Sequence, residues 1–474
     1  MSPSPPNVLY VTVDSLRADS VGVGGGGRDT TPTLDGLADD GVSFQYAIAN
    51  GIPTYYSFKS LLGGVHSLSH GRRIGLPDTA TALAEAFRDA GYSTAGFNAK
   101  NPWLTRSYGY DRGFEVYRDF VSDSERSGTG GLSRRLKRFA KRSVAFSETL
   151  TDTLGQVGRM ANAMVGSQPL LPAEQLTDTV LNWLAAHDGD RPFFVWVHYM
   201  DPHYPWIPPE EHLSDEMDST PSRLDIGRIW HTVAHEYKKA DAEIDDHTVA
   251  RIRQLYDAEV RRTDAAIGRL VSELKNRDEF EETVMSVVGD HGTELHDHGG
   301  FSHGPDTLYQ EVIHVPLLLS GYGIENASGN LAALVDVPRT LIAATDGAVS
   351  TPETFEGINL LEETRTGVST EVVYDFDPAR RQNSENDLLQ ARTEPPWKLI
   401  RNRHTGSTEL YNIEDDPSES TPLRDGGERW ETLERALDSH RDSVERRNRT
   451  ITEKERVREQ IAELREAGEL VYDG

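Results

Sequence analysis

Three stretches of this chain are apolar without alternation and stop abruptly at acid or imidazole. They are "NVLYVTVD" (7–14), "FFVWVHYMDPH" (193–203) and "TVMSVVGDH" (283–291). A strand with one wet face alternates polar and apolar residues, whereas a strand apolar throughout has both faces covered. The second run follows a helical pattern at 174–187 and the third follows a long amphipathic one at 250–276. "DTATALAEAFRDAGYSTAGFNAKN" (78–101) repeats the order of helix, Gly stop and strand, and "EVIHVPLLLSG" (311–321) adds one more buried run. Such alternation predicts an α/β fold: a large mixed, mostly parallel sheet sandwiched by helices.

The pattern changes after about residue 345. "TEPPWKLIRNRHTGSTELYNIEDDP" (393–417) reads as two short strands joined by a turn, part of a smaller C-terminal α+β subdomain. Residues 427–468 are dense in charge, with Trp430, Leu433, Leu437, Val444, Val457, Ile461 and Leu464 spaced as on one or two solvated helices. The expected organisation is a body at 1–345 with an insertion at about 121–172, an antiparallel subdomain at 346–425 and a charged helical tail at 426–474.

The 474 residues carry 49 basic and 77 acidic side chains, a net charge of −28. That charge argues against nucleic acid as a partner and matches proteins of a salt-rich, halophilic cytoplasm, where screening weakens self-repulsion. There is no cysteine, which excludes disulfides, thiolate metal sites and thiol nucleophiles. The beginning of the chain has no basic, apolar leader pattern and no apolar run spans a bilayer, so a cytoplasmic location is expected. Against this background residues 134–142 hold six cations, in a segment (130–146) with Leu132, Leu136 and Phe139 at helical spacing. Two readings stand: peripheral contact with an anionic membrane surface or polyanion, or a solvated face paired to the acidic body.

In open α/β sheets ligands bind beyond the carboxyl ends of the strands. Asp14 ends one run, His198, Asp201 and His203 another, and Asp290 and His291 a third, with His296, Asp297, His298 and His303 close behind. One such residue is an ordinary helix cap, but three strand ends together point to a divalent metal: Mg or Ca from carboxylates alone, Mn or Zn once imidazole joins. In "NGIPTYYSFKSLLGG" (50–64) Thr54 begins a helical stretch. It is either an N-cap or a hydroxyl whose pKa a metal would lower enough for nucleophilic attack.

These motifs resemble the sulfatases and related members of the alkaline phosphatase superfamily. "NVLYVTVDSLRADSVG" is similar to their opening and "GDHG" to their second metal motif. "HYMDPHYPW", "YQEVIHVPLLLSG" and "WKLIRNRHTGSTELYNIEDDPSE" match three further segments in the family's order. The resemblance identifies a haloarchaeal-type member with an unusual activation motif. The family's C/S-x-P-x-R aligns with Thr54, Tyr56 and Phe58, so neither the Cys or Ser that becomes formylglycine nor its supporting Arg is present, and no formylglycine is expected. Asp14-Ser15 replaces a frequent pair of acids, and Lys100 in "FNAKNPW" is a candidate for the family's substrate lysine.

The resemblance implies a metal-dependent hydrolase of sulfate or phosphate esters. Asp14, Asp290 and His291 would hold the metal, with Thr54 as fourth ligand and nucleophile. His203 or His303 would protonate the leaving oxygen, and His198 and Asp201 would orient substrate or complete a second metal site. The substrate would be a sulfated or phosphorylated small molecule, glycan or lipid head group. Two alternatives keep the fold: a phosphoglycerol-type transferase acting on a glycan or lipid, and a non-catalytic binder of anionic glycans or head groups. Transfer to an added alcohol separates the first alternative, and a covalent adduct at Thr54 excludes the second.

Overall fold

The computed structural model describes residues 4–24, 30–71, 74–121, 170–213, 221–236, 244–325, 327–373, 387–424 and 426–466. The basic segment 130–146 and most of the expected insertion lie outside them. The strands are β1 (Asn7–Val13), β2 (Val42–Ile48), β3 (Ser93–Asn98), β4 (Val116–Arg118), β5 (Phe193–Tyr199), β6 (Thr283–Gly289), β7 (Glu294–Leu295), β8 (Phe301–Ser302), β9 (His314–Val315), β10 (Leu317–Gly321), β11 (Ala327–Ala333), β12 (Val368–Val373), β13 (Leu388–Glu394), β14 (Trp397–Asn402) and β15 (Ser407–Asn412). The helices are α1 (Pro32–Asp39), α2 (Thr54–Gly63), α3 (Leu83–Asp89), α4 (Ala173–Ala186), α5 (Arg223–Glu236), α6 (Asp246–Asn276), α7 (Gln310–Ile313), α8 (Val337–Ala343) and α9 (Gly427–Glu466).

The large sheet runs β11-β2-β10-β6-β1-β5-β3-β4, with β9 beside β2. All its long pairings are parallel except those of β10, which runs against both β6 and β2. The unbroken apolar runs follow from two covered faces. Val8 and Tyr10 of β1 enter one core with α2, α3 and α8, while Leu9, Val11 and Val13 enter the other with α1, α4 and α6. Each such side chain, fully buried, contributes about 1.5–3 kcal/mol. The run at 311–321 is not one strand. Pro316 lacks an N–H, and the segment divides into α7, β9 and the reversed β10.

β12 to β15 form a separate four-stranded antiparallel sheet in sequence order. Among the described residues the tail is one helix, α9, with a narrow buried face. Leu433 and Leu437 of α9 are buried against Leu399 and Leu410, and Val444 reaches Tyr55, Tyr56 and Leu68 beside α2.

Candidate active site

Parallel register brings the acids together. Val13 lies opposite Tyr199 on one side and Gly289 on the other, and Asn98 lies opposite His198. The carboxyl ends of β6, β1, β5 and β3 therefore open at one edge of the sheet. β2 runs the same way and delivers α2 there.

Asp14, Asp290 and His291 are fully buried, and each offers a ligand atom within 4.8 Å of the others. Their neighbours orient them. Asp290 Oδ1 accepts from the backbone N–H of Ser15 at 3.1 Å and of His291 at 2.8 Å, while Oδ2 accepts no hydrogen bond. Asp14 Oδ1 accepts from Ser15 Oγ at 2.8 Å, and Oδ2 from Asn101 Nδ2 at 3.0 Å. Ser15 makes both its contacts from a left-handed backbone, φ 60°. Residues held there against their preference cluster at functional sites. His291 Nδ1 must donate to the Gly292 carbonyl at 2.8 Å, so Nε2 presents a lone pair to the cluster.

Thr54 is the first residue of α2, and Pro53 holds the cap position with no side-chain cap. The Thr54 hydroxyl is turned elsewhere, 3.4 Å from Asp14 Oδ2 and 3.2 Å from His291 Nε2. The far end of α2 is closed by Gly64 at φ 62°, whose N–H reaches the Ser60 carbonyl. A Cβ there would sit 2.6 Å from the Phe355 ring. This close stop fixes the helix that carries Thr54.

Three more imidazoles surround the cluster. The hydroxyl of Thr12 accepts from Trp196 Nε1 at 3.0 Å and lies 3.0 Å from His198 Nδ1. This leaves His198 Nε2 facing Asp14 Oδ2 at 3.6 Å. The His303 ring lies tilted against both His291, 4.3 Å between ring centres, and His203 at 5.1 Å. His203 Nδ1 donates to the Tyr204 carbonyl, which leaves its Nε2 to exchange a proton.

Burial works to raise the Asp14 carboxyl, but the imidazoles of His203, His198 and His291 outweigh it and hold Asp14 well below the usual carboxylate range. Burial, then the Asp14 charge, push Asp290 well above that range. Burial pushes His291 down, and burial with the His291 and His203 rings pushes His303 well below its ordinary value. Two buried carboxylates and a neutral imidazole, with one oxygen of Asp290 unpaired, are the donor set of a divalent cation. The residues fit one.

The profile of the sulfatase family matches residues 6–348. The chain belongs to the sulfatase family. It is 24% identical over 456 residues to an arylsulfatase of Clostridium perfringens, covering 90% of this chain and 92% of that one. It is 23% identical over 418 residues to the multifunctional alkaline phosphatase superfamily protein PehA of Trinickia caryophylli, covering 78% and 80%. The fold matches that of the phosphonate monoester hydrolase of Agrobacterium radiobacter with a TM-score of 0.66 at 20% identity, covering 93% and 96%. It also matches, with a TM-score of 0.66 at 17% identity and coverage of 93% and 98%, a protein in complex with its substrate D-glucosamine-2-N,6-O-disulfate.

In this sulfatase-family chain Phe58 holds the place that the motif resemblance aligns with the family's Arg. Its ring stands edge-on to His198 at 4.9 Å and to Trp196 at 5.7 Å, an apolar wall instead of a cation. The other expected residues divide. Asp14, Thr54, His198, His203, Asp290, His291 and His303 gather at the cluster. Asp201 turns to Arg262 at 3.0 Å, in a network with buried Glu259 and the partly exposed Glu174. Lys100, at φ 72°, lines a cavity of about 650 Å³ with Phe120, Leu170, Glu174 and Arg262. His296 stacks on Phe301, Asp297 binds Arg17 and Arg253, and His298 binds Glu311. Sequence reasoning passed over Asn101, which follows β3 and touches Asp14. The signal was available: β3 is a further parallel strand ending at the same edge.

Proposed function

We propose that this sulfatase-family protein hydrolyses phosphate esters, with sulfate and phosphonate esters as the related substrates to compare, through unmodified Thr54. The observation that carries the reading is the Thr54 hydroxyl, first on its helix, uncapped, and within 3.4 Å of both Asp14 and His291. An arylsulfatase and a phosphonate monoester hydrolase among the similar proteins support the ester class. The absence of cysteine and the Thr at position 54 favour phosphorus over a formylglycine route.

Asp14, Asp290 and His291 would hold a divalent cation, whose charge would stabilise the anionic transition state. That charge would also lower the pKa of the Thr54 hydroxyl, whose proton is lost to solvent before attack. Oγ1 forms a bond to phosphorus as the bond from phosphorus to the leaving oxygen breaks. The protonated member of the His203–His303 pair gives its proton to that oxygen. Water then attacks the phospho-threonine, the pair takes a proton from that water, Oγ1 recovers a proton from solvent, and phosphate and free Thr54 are released. His198, oriented by Thr12 and Trp196, keeps Asp14 in place throughout.

The test is a panel of p-nitrophenyl phosphate, bis-p-nitrophenyl phosphate, p-nitrophenyl sulfate and phenylphosphonate, at high salt with Mn²⁺, Zn²⁺, Mg²⁺ or Ca²⁺. Thr54→Ala should lose at least about 10³-fold in kcat on the best substrate. A covalent adduct on the Thr54 peptide should appear by mass spectrometry after an acid quench. Full activity in Thr54→Ala rules out the nucleophile, and turnover of the sulfate ester alone rules out phosphorus as the preferred centre.

A further inference from the structure

Two stretches the mechanism leaves unused, "WKLI" and "DPSE", meet the active site through one hairpin. β7 pairs β8, Glu294 opposite Ser302, and the chain leaves the metal cluster at His291 and returns with His303. The turn between them is pinned from outside. His298 Nδ1 binds Glu311 Oε1 at 2.7 Å and Nε2 lies 3.3 Å from the Glu419 carbonyl. Both partners are acceptors, so both ring nitrogens donate and the ring is an imidazolium. The ring also lies flat on Tyr309, 3.7 Å between centres.

The Glu419 carboxylate is itself fixed at two points. It takes Lys398 Nζ at 2.8 Å, with both side chains fully buried, and accepts the Gln310 N–H at 2.6 Å. The Glu419 backbone is left-handed, φ 49°, a costly conformation for a residue with a Cβ. Asp416 holds the turn by accepting from Ser418, Ser420 and Thr421. The outcome of this strain is that the carbonyl of Glu419 points at His298.

We propose that Lys398 and Glu419 are positioning residues for the reaction: they clamp His298 at the hairpin turn and thereby hold His303 against His291 and His203. This rests on the reading of the His203–His303 pair as the proton donor. A clamp differs from a merely structural contact in what it controls. Displacing His303 removes help to the leaving oxygen, worth ~10²–10⁴-fold for general acid catalysis and most for a poor leaving group.

The experiment compares kcat on the p-nitrophenyl ester that the wild type hydrolyses best with kcat on its unsubstituted phenyl counterpart. The ratio of the two cancels the fraction of enzyme that is folded. The variants are Glu419→Gln, which keeps an acceptor for Lys398, His298→Gln, which is half-buried and tolerant, and His303→Gln as reference. The clamp predicts a loss about tenfold larger on the phenyl ester in all three. If His303→Gln shows this loss while Glu419→Gln and His298→Gln change both esters equally or not at all, the clamp is overturned and the proton-donor reading stands. An unchanged ratio in His303→Gln overturns both.

Discussion

Asp14 and Asp290 are buried at the sheet edge with no Lys or Arg bonded to either among the described residues. Asp201, just after His198, and Glu259 of α6 are also buried, yet they share Arg262, as Glu419 shares Lys398. A buried carboxylate without a counter-charge is expensive, and one with a good partner is tolerable. In these two networks the fold neutralises buried acids from within, whereas it leaves the Asp14–Asp290 pair open to a charge from outside. The same contrast separates stability from function: the first kind of cluster holds elements together, and the second is held in place by them.

The sharpest way to break the contrast is Asp290→Asn. The amide keeps the acceptor for Ser15 and His291 and removes the repulsion with Asp14. Activity should fall by about 10³-fold or more, the several kcal/mol that a bound cation supplies to such a displacement. The metal-free protein should melt no lower than the wild type, and added Mn²⁺ or Zn²⁺ should raise the melting temperature of the wild type only. A metal-free variant that melts well below the wild type would show that Asp290 belongs with the structural acids.

Arg262→Met tests the other side. It strands Asp201 and Glu259, and removing one partner of a buried ion pair costs about 3–5 kcal/mol. Burial, then Asp201, already push Glu259 up to about 8, so its proton absorbs part of the loss. Urea titration should show the drop with or without metal. A stability loss that metal restores would tie this network to the site instead.

Asn101→Ala is the next smaller effect. Losing a residue that orients a metal ligand costs ~10–100-fold in affinity or activity. Titration of Mn²⁺ should show weaker binding at unchanged stoichiometry, and unchanged affinity would reduce Asn101 to a packing residue.

Why Asn101 was hidden while Asp14 was visible explains much of what the sequence could reveal. The parallel sheet was readable because β1, β5 and β6 are apolar on both faces, and their acids were readable because charge is conspicuous after such a run. Asn101 carries no charge, and the neighbouring Lys100, which lines the cavity beside Arg262, drew the reading. Arg262 and Glu259 were hidden for another reason. On a 31-residue helix such as α6, charges at i and i+3 look like a solvated face, and only packing against α4 and the end of β5 buries them. The reversal of β10 and the docking of α9 are likewise tertiary. An apolar stripe at 433, 437 and 444 announces a buried face, but its partners, Leu399, Leu410 and Tyr56, lie far away in sequence.

The mildest prediction concerns pH and the imidazolium of His298, which belongs to the self-neutralised class. Its contacts with Glu311 and the Glu419 carbonyl outweigh burial and raise it from 6.5 to about 9. Between those values the folded protein binds more protons than the unfolded chain, so stability falls as pH rises. The contribution is complete below about pH 6.5, where both states are charged, and is lost as pH passes through about 9. The ring is half-exposed, so the effect is a modest alkaline slope. His298→Gln should flatten that slope in melting curves taken from pH 6.5 to 9.5 while leaving the acid side unchanged. A variant that keeps the wild-type slope would place the titration elsewhere and leave His298 held by stacking on Tyr309 instead of by charge.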